Sequence, residues 1–281
     1  MSRLLNALRT VLLEDPRILG ELPRAEMVRI CELLEVNHLE SLAYSRLRET
    51  GGEDGVPAAR LSSWKMAYVL SKGRALAYAE ALSEILGIAA GLRLPVRLLR
   101  GTQLAFFQYP APELRPIHQL EIQAPPESAL ELHFALKLHR YVEEESLLPQ
   151  ETARRATLPR LTKEGVQVSV YKRSALHIRR APWDPFTDSA RDLCQPRLLS
   201  AEPLVVLLAH DLAARSYCHS LADLHDLHFV MERSSPTLDQ VLHLAAETGM
   251  SLEVYLALRL AHDVLRAPLD ERFLEDLAAR G

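Results

Sequence analysis

Gly101-Thr102 follows directly on the apolar run "PVRLLR" at residues 95–100. A glycine before a small hydroxyl residue lets the backbone approach a phosphate closely, which phosphoryl and nucleotidyl transfer require. Such transfer also requires carboxylates on a rigid element, holding divalent metals roughly 4 Å apart. Two acids one residue apart on a strand point to the same face. The stretch "HQLEI" at residues 118–122 offers Gln119 and Glu121 at that spacing, and "VQVSVYK" at 166–172 offers Ser169 for a third position. One carboxylate therefore stands where this chemistry wants three.

The C-terminal part offers a second chemistry. His210-Asp211, His225-Asp226 and His262-Asp263 are three His-Asp dipeptides among 11 histidines. Metal-dependent phosphohydrolases of the HD type hold metals with such pairs on helices. His219, Asp223 and Asp226 fall at i, i+4 and i+7, on one face of an unbroken helix, and His225 and His228 share a face three residues apart. Adjacent His and Asp point about 100° apart on a helix, so these residues read more simply as caps and solvated faces. No Ser-His-Asp or Cys-His arrangement of a nucleophile stands out.

The elements that must carry these residues follow from periodicity. Leu4, Leu5, Leu8, Val11 and Leu12 predict an opening amphipathic helix, and two more helices follow up to "GGEDG" at 51–55. Ala58 to about Leu92 reads as one long helix, with Gly73 and Gly87 as its weak points. The pattern then changes to strands at "PVRLLR", "IHQLEIQ" and "VQVSVYK", with Val166, Val168 and Val170 on one face and Gln167, Ser169 and Tyr171 on the other. Glu164-Gly165 separates two extended runs and predicts a hairpin. "PPESALELHFALKLHRYV" is a helix between strands, and "RRAPWDPFTD" at 179–188 is a linker. From Ser200 onward the chain is helical again, with Ser200, Ser220, Thr237, Ser251 and Asp270 as N-cap candidates.

Composition narrows the field. The chain has 281 residues, of which 48% are hydrophobic and 25% charged, as in an ordinary globular protein. A net charge of -4 and a pI near 6.3 give no overall pull toward nucleic acid or acidic membranes. Arginines and lysines do gather around the sheet, at Arg154, Arg155, Arg160, Lys163, Lys172, Arg173, Arg179, Arg180 and Arg197. Aromatics are only 6% and form no stacking stripe, so a nucleic-acid signature is lacking. Cys31, Cys194 and Cys218 form no CxxC pair, the N-terminus lacks a signal peptide's apolar region, and no run approaches the roughly 20 apolar residues of a membrane span. These features lead us to expect a cytoplasmic protein.

The segment "LPVRLLRGTQLAFFQYPAPELRPIHQLEIQ" resembles a stretch of the uncharacterised nucleotidyltransferase-fold proteins, within the DNA polymerase beta-like superfamily. In that family an apolar strand leads to Lys-Gly-Ala, a helix, Tyr-Pro, Arg-Pro and Asp-x-Asp. "VSVYKRSAL" lies where the family places a further acid, and "LLSAEPLVVLLAHDLAARSYCHSLADLHDLHFVM" resembles its helical part. The resemblance implies an α+β fold, with a small mixed sheet flanked by N-terminal and C-terminal helical bundles. The corresponding divisions are 1–92, 93–199 and 200–281. It further implies nucleotide-binding roles for Arg100, Gly101, Thr102 and Arg115. Glu121 is left as a weak catalytic position, with Gln119 and Ser169 at degenerate acid positions.

Asp to Gln removes a charge that a hard cation needs, so no metal site is assigned. The expectation is a nucleotidyltransferase-like protein with impaired catalysis, binding a nucleoside triphosphate or acting through a protein partner. In the alternative, an active transferase, Glu121 holds Mg²⁺ with help from loop carboxylates such as Glu113 or Asp184. The HD-type phosphohydrolase stands behind both.

Overall fold

The structure, a computed structural model, describes residues 3–144, 155–172, 196–214 and 221–280. It opens with α1 (Arg3–Arg9), which continues as a π-helical turn through Glu14, then α2 (Arg24–Val36) and α3 (Glu40–Thr50). Gly51 ends α3 in the left-handed conformation that a side chain would disfavour, with φ at +69°. α4 then runs unbroken over Ala58–Gly91, about 51 Å at the usual rise.

β1 (Arg97–Leu98), β2 (Leu120–Gln123), β3 (Val142–Glu143), β4 (Leu161–Lys163) and β5 (Val166–Tyr171) form a sheet in the order β1-β2-β5-β4-β3. β2 and β5 are parallel and the other pairs antiparallel. α5 (Arg100–Gln103) leaves β1 at once and continues as a π-helical turn to Gln108; α6 (Pro126–Leu138) follows β2 with Pro126 in its first turn. Glu164 and Gly165 join β4 to β5 with φ of +50° and +82°, the two positive values that a tight hairpin turn demands. Beyond the sheet come α7 (Ala201–Ala214), α8 (Leu221–Ser234), α9 (Leu238–Thr248), α10 (Ser251–Leu265) and α11 (Glu271–Arg280). The fold is α+β, a small mixed sheet between helical layers. The linker at 179–188, Asp184, His219 and Ser220 lie outside the described residues.

Strand alternation divides the sheet into two faces. Leu120, Ile122, Val168 and Val170 are fully buried against Tyr78, Leu82 and Ile85 of α4 and Leu132 and Leu136 of α6. A second apolar cluster joins α1–α3 and the first half of α4 to α7–α11. The other face of the sheet carries Gln119, Glu121, Ser169 and Tyr171, and helices α7 and α8 supply Asp211 and Asp226, which pair with Arg100 and Arg115 beside it. Among the described residues no helix is long and apolar enough to cross a membrane.

Candidate functional site

The polar face of the sheet is the floor of the site. Parallel pairing sets Glu121 level with Ser169. Ser169 Oγ donates to Gln119 Oε1 over 3.0 Å, and Gln119 Nε2 donates to Glu121 Oε1 over 3.2 Å. The three positions singled out in the sequence therefore meet as a chain of hydroxyl, amide and carboxylate. The amide suits the middle of this chain, since it accepts with one atom and donates with another.

Arg100 lies above that chain. Its φ of +34° is in the left-handed region, where a residue with a side chain is strained. Nη1 lies 2.7 Å from both carboxylate oxygens of Asp211, on α7. Nη2 lies 2.5 Å from Glu121 Oε1 and donates over 2.5 Å to Tyr171 Oη, whose ring the guanidinium also covers at 5.1 Å. Burial alone would discourage the charge on Arg100, but Glu121 and Asp211 outweigh it and raise its pKa above the ordinary value. Burial, and then Glu121, pushes the Tyr171 hydroxyl up to about 12. Burial also raises the pKa of Asp211 despite the pull of Arg100.

Arg115 forms a second buried cluster beside the first. Its Nε and Nη2 hold Asp226 of α8 at 3.0 and 2.7 Å, while Nη1 donates to the Pro116 carbonyl over 3.0 Å. Tyr109 Oη donates to the same carboxylate over 2.9 Å and lies 2.7 Å from His225 Nδ1. A carboxylate only accepts, so the single phenolic hydrogen goes to Asp226 and His225 Nδ1–H donates to the phenol oxygen. Burial drives the His225 pKa down to about 3, which keeps the ring neutral.

Gly101 and Thr102 are committed to holding this arrangement. The Thr102 hydroxyl is fully buried and accepts from the Glu121 backbone N–H over 2.7 Å, tying α5 to β2. The Gly101 N–H donates to Glu121 Oε2 over 3.3 Å. The close approach that glycine permits here is that of Arg115. A side-chain amide does the remaining positioning. Gln103 accepts from the Leu199 N–H over 2.8 Å and donates to its carbonyl over 2.7 Å, fixing the chain just before α7.

Two spaces adjoin these residues. A cavity of ≈ 60 Å³ lies among Arg100, Gly101, Arg115, Glu121, Asp211 and Asp226. A groove of ≈ 400 Å³ opens beside Gln119, Ser169 and Tyr171, with Arg155, Thr157 and Arg160 on its wall. Small-molecule pockets usually span about 300–1,000 Å³, so of these two spaces only the groove has room for a nucleotide-sized ligand.

Asp211 and Asp226, weighed in the sequence as metal ligands, each turn to an arginine. His262 Nδ1 bonds to the Ala267 carbonyl and Asp263 pairs with Arg259. Glu113 faces α4, where it accepts from Tyr68 Oη. Among the described residues no three of His, Cys, Asp and Glu come together in a way that could hold a metal. Sequence reasoning missed Tyr171, Gln103, Tyr109 and the arginine partnership of the two aspartates. Alternation along β5 does put Tyr171 on the face of Ser169, and that was the available signal; nothing local marks the others.

A family model described as an uncharacterised nucleotidyltransferase matches residues 23–266. No curated protein matches the chain.

Proposed function

The chain belongs to a family of uncharacterised nucleotidyltransferases, and from that premise we propose that it binds a nucleotide but has lost metal-dependent transfer. The observation that carries this reading is the hydrogen-bonded chain Ser169–Gln119–Glu121 at the three positions where the family resemblance expects acids. Mg²⁺ takes six oxygen ligands in near-octahedral geometry and favours anionic ones. An amide and a hydroxyl beside one carboxylate do not suit it, and that carboxylate is already bonded to Arg100. The donor set does not fit the metal.

The groove beside this chain supports a binding role. Its floor is Gln119, Ser169 and Tyr171, and its wall presents Arg155 and Arg160. Arginine recognises phosphate oxygens through a planar fork of donors, without help from a metal. Arg160 is half exposed, held by Glu144 across 3.5 Å, and exposed pairs of this kind contribute only about 0–1 kcal/mol. A phosphate can therefore compete for it. In this reading the neutral floor meets sugar or base through hydrogen bonds while the arginine wall meets phosphate.

One observation favours the alternative, an active transferase: Asp211 shares the guanidinium of Arg100 with Glu121, so a second carboxylate lies within reach of the first. Calorimetric titration with ATP, GTP, CTP and UTP, in Mg²⁺ and in EDTA, separates the two. The expected result is binding of at least one nucleotide with equal affinity in both buffers, weakened by R160A, and no transfer of labelled nucleotide. Binding that vanishes in EDTA, or transfer abolished by E121Q, supports the alternative. No binding of any of the four overturns the proposed role.

A further inference from the structure

We infer that the guanidinium of Arg100, at the position where the resembling family carries a lysine, is a resident cation that neutralises Glu121 and Asp211, and that the chain takes up no divalent ion there. The inference deepens the reading of an impaired transferase and rests on it. Three oxygen-bearing side chains from three different elements converge on this one group. Glu121 comes from β2, Tyr171 from β5 and Asp211 from α7, at 2.5, 2.5 and 2.7 Å. That is the donor chemistry of a hard cation's coordination shell: two carboxylates and a hydroxyl, brought together from distant parts of the chain.

The planar guanidinium satisfies these donors in a way a spherical ion does not. Its two terminal nitrogens point in divergent directions, so Nη1 takes Asp211 while Nη2 takes Glu121 and Tyr171. The carboxylates can thus remain farther apart than two ligands of one Mg²⁺, whose oxygens each lie about 2.1 Å from the ion. The strained backbone at Arg100 supports the inference. A residue held at φ +34° at the start of α5 persists only where its surroundings over-determine it. Here the surroundings are the two acids and the phenol. The neighbouring motif positions agree, because Ser169 bonds to Gln119 and Gln119 to Glu121, and both are neutral groups that need no cation of their own.

A cation built into the chain has a chemical consequence. A metal can be removed by a chelator, and its loss would leave Glu121 and Asp211 in mutual repulsion. A covalently attached cation cannot be removed, so the site holds its geometry at any metal concentration. Deleting the guanidinium is expected to convert Glu121 and Asp211 into a cation site, because one buried and one partly buried carboxylate are then left without a counter-charge.

The test reads metal uptake, not nucleotide binding or transfer, so this inference and the reading beneath it can fail separately. Mn²⁺ binding is followed by electron paramagnetic resonance in the wild type, R100K and R100A. Thermal unfolding of each is recorded in MgCl₂ and in EDTA. The wild type and R100K are expected to bind no Mn²⁺ in this site and to unfold at the same temperature in both buffers. R100A is expected to bind a single Mn²⁺, to lose it when E121Q is added, and to unfold at a higher temperature in MgCl₂. Mn²⁺ held by the wild type and lost in E121Q overturns the inference, and so does a folded R100A that takes up none. Should R100A not fold, the wild type and R100K still decide: no uptake by either supports the inference, and uptake sensitive to E121Q overturns it.

Discussion

A methyl group placed on Gly101 would lie 2.9 Å from Nη1 of Arg115 and 3.4 Å from its Nη2. The guanidinium cannot easily withdraw, because Asp226 grips it through two nitrogens. G101A is therefore expected to lower stability by about 1–3 kcal/mol, the usual cost of overfilling a packed site. On α4, Gly73 has nothing within 4 Å of the same added atom. There G73A should stabilise by up to about 1 kcal/mol through helix propensity. Urea unfolding of the two variants measures both effects. Equal shifts in the same direction would show that Arg115 does not set the requirement for glycine.

The two arginine clusters should respond unequally to loss of an aspartate. Asp226 is almost wholly buried at 3% side-chain exposure and, among the described residues, is the carboxylate that pairs with Arg115. D226N leaves a buried guanidinium facing carbonyls alone and is expected to cost about 3–5 kcal/mol. D211N leaves Arg100 with Glu121 and Tyr171, and should cost less, about 1–3 kcal/mol. Denaturant midpoints compared at constant slope give the order. A larger loss in D211N would contradict this assignment of partners.

Stability should fall with acidification, with His225 contributing alongside His133 and His228, whose pKa values burial also lowers. Burial holds the folded pKa of His225 at about 3, against about 6.5 in an unfolded chain. Between those values the unfolded state binds the extra proton, so stability is fully present above about pH 6.5 and is lost as pH falls toward 3. The slope approaches about 1.4 kcal/mol per pH unit for one such group. H225Q, which keeps a donor for Tyr109 but does not titrate, should flatten the slope between roughly pH 6 and pH 4. An unchanged slope in H225Q would place the acid sensitivity elsewhere.

Much of the scaffold was legible in the sequence because it rests on local rules. Helical periodicity placed α4, read as Ala58 to about Leu92, within a residue of its observed bounds. Glu164-Gly165 marked its hairpin because it separates two extended runs, and glycine readily takes the positive φ found at the second position. Capping was less faithful. Ser251 lies inside the first turn of α10, because the left-handed Gly249 ends α9 and leaves only Met250 between the two helices. Thr237 takes the cap position of α9, but its hydroxyl makes no capping bond.

The site was legible only in part, for a physical reason. Alternation along the strands predicts that Gln119, Glu121 and Ser169 share a face, and they do. What neutralises Glu121 is an arginine 21 positions away, which it shares with an aspartate on α7 that lies 111 positions from that arginine. Such pairings are settled by how helices pack, which no local spacing encodes. The His-Asp dipeptides drew attention to Asp211 and Asp226 for the wrong partner: a cation does meet each of them, and it is a guanidinium.

α4 belongs to both hydrophobic clusters at once. Trp64 and Tyr68 are built into the cluster of the helical layers, whereas Ala75, Tyr78, Leu82, Ile85 and Ala89 are built into that of the sheet. A single rod thus forms one wall of each. If the helical layers come apart, the sheet loses the support of a helix whose other end has been freed, and the converse holds as well. The two cores are therefore bound to a common fate on heating. The chain should melt in one cooperative step, with the amides of α4 among the last to exchange their hydrogens with solvent.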